Sequence, residues 1–454
     1  MSDVIAAVST PLVSAGIGVI RVSGDGAAAL CDRVFKAAGG KKLDDIEGYR
    51  ALYGTVFDAD GAIDEAVALR FRAPHSFTGE DVVELSCHGS VYILRRTLSA
   101  LIAAGARMAK AGEFTRRAFE NGKMDLTAAE SVMSLIGAQS SAEHAAALSG
   151  REGALYRRVN EIRDGLIKLA GHLSAWVDFP DEEVPEVDES ELKSGFFAAE
   201  RDLRRLLSGF ESGRLLREGI DTVIVGRPNV GKSTLMNMLC GCDRSIVTSV
   251  AGTTRDIVEE SVTVGGIKLR LSDTAGIHDT ADAVERIGVD MAQKRIQTAA
   301  LIIAVFDGSQ GLSDDDAALI GSLAGRRAVA VINKDDLDGR LDADIIRRAV
   351  PLCVSVSAKS GEGADRLAAA IAEACGIDGI DPAEGIMTNE RQRDCAHRAL
   401  CAVDEGIAAL ENGLTFDAVG VMLDEALAAL SELSGERVSD AVVDEVFSTF
   451  CVGK

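Results

Sequence analysis

Through residues 1–122 the chain alternates short apolar runs with glycines and polar turns. Gly18-Val19-Ile20-Arg21-Val22, Ala66-Val67-Ala68-Leu69-Arg70-Phe71 and Val82-Val83-Glu84-Leu85 read as strands, and Ser90–Ala104 reads as a helix after them. The pattern predicts a compact α+β domain. From Leu126 to Glu218 the texture changes to long Ala/Leu/Glu/Arg stretches at helical spacing, with an apolar stripe at Ile162, Leu166, Leu169 and Leu173. The run Asp178-Phe179-Pro180-Asp181-Glu182-Glu183, with Pro185 just beyond, interrupts that pattern. Helical texture returns from Glu390 to Phe450, and between the two helical segments strands and helices alternate. The predicted architecture is a multidomain α/β and α fold. It has an N-terminal α+β domain (1–122), a helical domain in two parts (123–215 and 378–454), and an α/β domain (216–377) inserted between them. The two helical parts should pack together, because neither amphipathic set can bury its apolar face alone.

Composition narrows the class. At 454 residues the chain exceeds one typical core. Hydrophobic residues make up 47% and aromatics only 4%, a balance that suits helices and parallel strands better than an aromatic-rich sandwich. The formal net charge of -23 repels a bare polyphosphate backbone, so any work on RNA should lean on a basic partner or a local basic patch. Nine cysteines are scattered without a C-x-x-C pair, and none has zinc-ligand spacing with histidine. The start lacks a secretory pattern, and no apolar run reaches the roughly 18 residues of a membrane span. A reduced, cytoplasmic protein without a membrane segment is expected.

The inserted domain carries chemistry. Asp221-Thr222-Val223-Ile224-Val225, a β-branched run suited to a buried parallel strand, leads into Gly226-Arg227-Pro228-Asn229-Val230-Gly231-Lys232-Ser233, and a helical pattern begins at Thr234. This is a phosphate loop in the strand–loop–helix context the motif requires. Its glycines let backbone N–H groups turn onto phosphates, Lys232 brings a point charge to the β- and γ-phosphates, and the Ser233 hydroxyl is a hard ligand for Mg²⁺. Asp273-Thr274-Ala275-Gly276 follows the strand Ile267–Leu271. There the aspartate can hold Mg²⁺ through water, and the Gly276 N–H can sense a γ-phosphate. Asn333-Lys334-Asp335-Asp336 follows the strand Ala328–Ile332, and the paired acceptors of Asp336 match the N1–H and 2-amino donors of guanine. Ser357-Ala358-Lys359, after the strand Leu352–Val356, would contact the guanine O6. Each short motif is weak alone; their order and spacing together predict a Ras-like P-loop GTPase domain that binds and hydrolyses GTP.

Two local features depart from a generic switch. Asn229 in the loop is either a turn former or a side-chain ligand for a monovalent cation beside the phosphates. Ile277 stands where many GTPases place a glutamine that orients the attacking water. His278 reads as a surface residue, and Asp279, Asp282 and Glu285 become candidates to position water or simply form a solvated face.

Over its whole length the chain resembles the MnmE (TrmE) family of bacterial tRNA-modification GTPases. The resemblance rests on Phe77-Thr78-Gly79-Glu80-Asp81, Ala111-Gly112-Glu113-Phe114, Asp178-Phe179-Pro180-Asp181-Glu182-Glu183, Leu216-Arg217-Glu218-Gly219, the phosphate loop, Ala251-Gly252-Thr253-Thr254-Arg255-Asp256, Val284-Glu285-Arg286-Ile287-Gly288 and the terminal Phe450-Cys451-Val452-Gly453-Lys454. The terminal segment is the most diagnostic, because phosphate-loop GTPases in general lack it. The departures are Thr10–Ser14, less rich in Gly and Arg than the common pattern, His278 in place of a frequent Arg, and Val452 in place of Ile or Leu.

The resemblance implies roles that the residues alone leave open. In it Asn229 binds K⁺, Thr248 and Val250 add backbone ligands, and Thr253 lies close to that ion. Ser249, Ala251 and Gly252 belong to the same nucleotide-contacting loop, alongside Val230, Gly231 and Thr234. Thr254 joins Ser233 on Mg²⁺, and Glu285 positions the attacking water. The GTPase domains pair across the nucleotide face. The N-terminal domain is tetrahydrofolate-binding-like and holds a constitutive homodimer. Its contacts to 5-formyl- or 5,10-methylene-tetrahydrofolate carry over onto Arg21, Glu84 and Lys123, with Lys454 reaching in. Cys451 falls at the position of a proposed catalytic thiol, although a small buried hydrophobe is an equal reading of that residue type. The implied partners are tRNA and the FAD protein MnmG (GidA) in a heterotetramer, and the implied product is an aminomethyl-type group at C5 of wobble uridine 34. A ribosome-assembly GTPase is the rival reading, and it should carry the basic RNA-binding module that this acidic chain lacks. A scaffold with a vestigial nucleotide site is a third, disfavoured by intact Lys232, Ser233, Asp273 and Asp336.

Overall fold

The computed structural model describes residues 3–178, 188–242, 260–271, 297–377, 381 and 384–453. They fall into two units, Met1–Met133 with Leu430–Lys454, and Ser134–Ala429.

The first unit is built on a seven-stranded sheet. Its strands are β1 (Ile5–Val8), β2 (Ala15–Ser23), β3 (Phe35–Ala37), β4 (Arg50–Asp58), β5 (Gly61–Phe71), β6 (Val82–Gly89) and β7 (Arg107–Met108), in the spatial order β3-β4-β5-β6-β2-β1-β7. Strict alternation sends Ile20 and Val22, Ala66 and Ala68, and Val83 and Leu85 to one face. There they bury against Leu94 and Leu101 of the helix Val91–Ala103. Gly18 in β2 is forced by this packing, since a Cβ there would stand 2.6 Å from Leu94 Cδ1. On the opposite face Ile5 and Ala7 bury with Ala109 and Phe114, the last on the helix Glu113–Glu120. Buried Arg70 donates from Nη1 to the carbonyls of Leu43, Asp44 and Ile46 at 2.7, 2.6 and 2.8 Å, so one guanidinium shapes the turn before β4.

The end of the chain completes this unit. Val443 and Phe447 of the helix Asp440–Ser448, with Phe450, bury against Leu126, Ala129 and Val132. Beyond it Val452 bridges Ala111, and the Ser9 hydroxyl donates to the Gly453 carbonyl at 3.2 Å. Gly453 has φ 99, and the Val8 carbonyl fills the space a side chain would need.

The second unit holds a six-stranded sheet with the order β13-β12-β11-β8-β10-β9. Here β8 is Ile220–Val225, β9 Glu260–Val264, β10 Ile267–Leu271, β11 Leu301–Asp307, β12 Ala328–Asn333 and β13 Cys353–Ser355. All pairs are parallel except β9 with β10. Every residue of β11 and β12 is buried, which is why their sequences show continuous apolar runs and no alternation. Leu235 and Leu239 of the helix Lys232–Cys242 and Leu367 and Ile371 of Ala364–Ala374 cover one face. Ile320 of Asp314–Ser322 and Ile346 of Ala343–Ala349 cover the other. The helices Ala154–Asp178, Glu189–Ser208 and Glu390–Glu411 belong to the same unit, as do residues 416–429 of the helix Phe416–Ser434. Ile162, Leu166 and Leu173 of the predicted stripe are buried, and Leu169 lies against Gly195. Trp176 meets Phe416 edge-on at 5.2 Å, and the ring of Phe196 lies over Gly406. Among the described residues no helix is long and apolar enough to cross a membrane.

The Phe196–Gly406 contact sets two effects against each other. Alanine at 406 gains roughly 1 kcal/mol of helix propensity. It also places a Cβ 2.7 Å from Phe196 Cζ, and overpacking costs about 1–3 kcal/mol. Overpacking should win: Gly406→Ala should lower the melting temperature of the full chain, and Phe196→Leu in the same chain should recover it. A melting temperature raised by Gly406→Ala alone would show that the helices separate freely.

Candidate functional site

The nucleotide motifs meet at the carboxyl ends of β8, β12 and β13. The phosphate loop leaves β8 at Gly226, whose φ of 154 lets the backbone pass close to the Val305 carbonyl. Asn229 takes φ 63, a left-handed conformation that asparagine tolerates better than most residues. Gly231 follows with φ 97, and a Cβ there would collide with the Asn333 side-chain amide. The helix Lys232–Cys242 then begins, so its first N–H groups face the loop's concavity, the arrangement that binds phosphate. Lys232 donates from Nζ to the carbonyls of Gly226 and Arg227 at 2.7 and 2.8 Å, and burial pulls its pKa down. Ser233 and Thr234 are exposed beside it, and the Ser233 hydroxyl is a hard oxygen that fits Mg²⁺.

The guanine side is tied to the phosphate side by Asn333, which is 2% exposed. Its Nδ2 donates to the Val230 carbonyl at 2.9 Å, and its Oδ1 accepts from the Ala358 N–H at 3.0 Å. Lys334, with φ 67, donates from Nζ to the Asn229 carbonyl at 3.0 Å and to Asp307 Oδ2 at 2.6 Å. Burial works against the Asp307 carboxylate, but hydrogen bonds from Lys334 and Ser309 outweigh it and hold its pKa below the usual value. Asp336 is exposed, and its Oδ1 accepts from the buried Ser357 hydroxyl at 2.8 Å. A carboxylate so held keeps lone pairs on both oxygens for the two guanine donors. Ser357 thus orients Asp336, a role the sequence reading, which placed 357–359 on the base, did not give it. Lys359 is exposed at the rim.

The sequence also missed Asp307 and Asp316. Asp307 accepts from Lys334 and Asp316 accepts from Arg227 Nε, so both brace the loop from positions far away along the chain, and no motif marks them. Thr248, Ser249, Val250, Ala251, Gly252, Thr253, Thr254, Asp273, Thr274, Ala275, Gly276, Ile277, His278, Asp279, Asp282, Glu285 and Lys454 lie outside the described residues.

In the first unit the β2–β6 register puts Arg21 opposite Glu84. Arg21 donates from Nε to Glu84 Oε1 at 2.9 Å, and its guanidinium carbon stands 5.5 and 5.7 Å from the Phe77 and Phe114 ring centres. Lys123 donates from Nζ to the Pro74 carbonyl at 3.0 Å. One segment, 74–80, therefore touches both cations. Cys451 is exposed, so its reading as a buried hydrophobe does not hold.

A strand–loop–helix phosphate cradle, an Asn-Lys-x-Asp guanine clamp and a third loop bonded to that clamp define the class: a guanine-nucleotide-binding, GTP-hydrolysing protein. Comparison with known proteins agrees. Residues 126–451 match the model of the MnmE helical domain, and residues 4–123 match that of the GTP-binding protein TrmE N-terminus. The tRNA modification GTPase MnmE of Heliobacterium modesticaldum is 42% identical, aligning over 100% of both chains. That of Symbiobacterium thermophilum is 41% identical over 100% of this chain and 99% of its own, and that of Clostridioides difficile 36% identical over 100% of both. The chain belongs to the MnmE family of tRNA modification GTPases.

The Asp336–Ser357 geometry yields a specificity test. Asp336→Asn replaces one acceptor with a donor, so GTP affinity should fall at least tenfold and xanthosine triphosphate should become the better ligand, since a site built to pair a substrate group rejects a mismatched one by about that much or more. Competition binding with the two nucleotides measures this, and an unchanged preference for GTP would remove Asp336 from base recognition.

Proposed function

We propose that the chain works as a homodimer in the cytoplasm with the FAD protein MnmG, adding an aminomethyl-type group at C5 of tRNA wobble uridine 34. A tetrahydrofolate supplies the one-carbon unit. The observation that carries this reading is the full-length identity to relatives named tRNA modification GTPase MnmE. In this reading residues 1–122 bind folate and dimerise, 123–215 and 378–454 form the helical domain, and 216–377 is the motor. Arg21, Glu84, Lys123 and Lys454 form the folate contacts, with the Arg21–Glu84 pair and its two flanking rings offering a charged, partly apolar seat for a pterin. Cys451 is exposed, as a reacting thiol must be. Deleting the protein should leave wobble uridines unmodified in nucleoside analysis of total tRNA. Complementation with Arg21→Ala should leave them undermodified, while the purified variant still hydrolyses GTP. Normal nucleosides in the deletion strain would eliminate the tRNA role and favour the ribosome-assembly reading.

The hydrolytic step rests on Lys232 at the β- and γ-phosphates, on Ser233 and Thr254 holding Mg²⁺, and on Glu285 positioning the water. Asn229, Thr248, Val250 and Thr253 would hold K⁺. Asn229 fits that task, being exposed at the crest of the loop with a side-chain carbonyl as a hard donor. A bound K⁺ supplies positive charge beside the phosphates that other systems take from an arginine. Phosphate release should therefore be faster in KCl than in NaCl at equal ionic strength, and Asn229→Ala should abolish that difference. Glu285→Ala should slow hydrolysis roughly 10- to 1,000-fold while keeping GTP affinity, because the carboxylate acts on the water. Equal rates in both salts would reject the cation role, and a fully active Glu285→Ala would move water positioning to Asp279 or Asp282.

A further inference from the structure

The crest of the phosphate loop is held by side chains. Among the described residues no backbone–backbone hydrogen bond involves Arg227, Pro228 or Asn229, and Pro228 has no N–H to give. Asn229 is fixed through its carbonyl by Lys334, as described. Arg227 is fixed from the other side. Its Nε donates at 2.9 Å to Oδ1 of Asp316, a carboxylate whose side chain is 1% exposed. The remaining oxygen, Oδ2, accepts from the Ser313 N–H at 3.0 Å and the Ser313 hydroxyl at 2.9 Å, within the capping box that starts the helix Asp314–Ser322. A carboxylate this buried requires a cation, and Arg227 supplies it.

The carbonyl of this same Arg227 accepts from Lys232 Nζ. An ammonium has three donors in tetrahedral array. Two are directed to the carbonyls of Gly226 and Arg227, so the direction of the third is set by where those two carbonyls stand. The Gly226 carbonyl belongs to a peptide pressed against Val305. The Arg227 carbonyl stands where its own side chain is tethered.

We propose that Arg227 and Asp316 are positioning residues for GTP hydrolysis: Asp316 anchors Arg227, and the anchored 227 carbonyl aims the Lys232 ammonium at the phosphates. Neither side chain is assigned a contact with the nucleotide. Lys232 attracts the phosphates of bound nucleotide as well, but the loop N–H groups and the guanine clamp hold the ground state whatever its aim, whereas the charge growing between the β- and γ-phosphates depends on where the ammonium points. Misaiming the ammonium therefore lowers turnover more than affinity.

The test uses the full-length protein with four changes: Arg227→Gln, Arg227→Lys, Asp316→Asn and the Arg227→Gln/Asp316→Asn double variant. Arg227→Gln leaves the Ser313–Asp316 capping box in place, so it reads the loop without unmaking the helix. Single-turnover GTP hydrolysis, GDP affinity from a fluorescent GDP analogue and melting temperature are measured together. Arg227→Gln and Asp316→Asn should each lower the hydrolysis rate about tenfold with less than roughly threefold change in GDP affinity. The double variant should be no slower than the slower single one, because both changes cut one tether. Arg227→Lys, which keeps the charge but loses the guanidinium geometry, should recover part of the rate. Rates within about twofold of the unmodified protein in Arg227→Gln, or single effects that multiply in the double variant, would overturn the proposal. So would a lowered melting temperature with an unchanged rate, the result expected of a purely structural pair.

Discussion

A polyphosphate can be held by backbone N–H groups only if something stops the loop from collapsing onto itself, and here that constraint is one buried side chain. Asn333 spends its amide in two directions, with Nδ2 on the phosphate loop at Val230 and Oδ1 on the third loop at Ala358. At 2% exposure neither bond has water as a substitute, and each group left unpaired would cost about 1–3 kcal/mol. The same amide dictates a neighbour's identity, since the Nδ2 occupies the place of a Cβ on residue 231. Gly231 is therefore required twice, by its φ and by Asn333. The loops that read phosphate and base are joined through this residue, and their spacing follows from it.

Parallel pairing explains why such distant segments meet. Strands β8, β11, β12 and β13 run the same way, so the loops that follow them all leave from one edge of the sheet. Residues 226–233, 333–336 and 357–359 arrive there from three crossings. Burial on both faces suits the apolar runs of the central strands β11 and β12, which carry a polar residue only at their last position. Asp307 and Asn333, each the last residue of a buried strand, are the points where polarity resumes and bonding to the loops begins.

Much of this was legible beforehand, for identifiable reasons. The β-branched run 221–225 ahead of a glycine loop, the alternation in 18–22 and 82–85, and the stripe through Ile162, Leu166 and Leu173 are short-range signals, and the structure has strands and a helix there. Phosphate-loop residues could be named because backbone chemistry demands fixed spacings. What stayed hidden depends on pairs without a period. Arg227 and Asp316 are 89 positions apart, and an Arg and an Asp at that separation carry no pattern. Helical spacing in 390–450 announced apolar faces that should meet the 123–215 segment, but not that Val443 and Phe447 would take Leu126, Ala129 and Val132. Arg70, inside an apparent strand of the first domain, gave no hint that it would spend one nitrogen on three carbonyls of the preceding turn.

The discontinuous make-up of the first unit bears on its birth at the ribosome. Residues up to Met133 emerge early, yet Leu430 onward, which completes the unit, comes about 300 residues later, roughly 15–60 s at ordinary elongation rates. During that interval Leu126, Ala129 and Val132 lack Val443, Phe447 and Phe450, and Ala111 lacks its bridge to Val452. The seven strands, all within residues 5–108, can pair early, but the helical cluster beside them waits for its partners, and the intervening unit has time to fold first. An apolar patch left open that long is a natural seat for a chaperone, and a chain truncated anywhere before Val443 is born with it permanently bare.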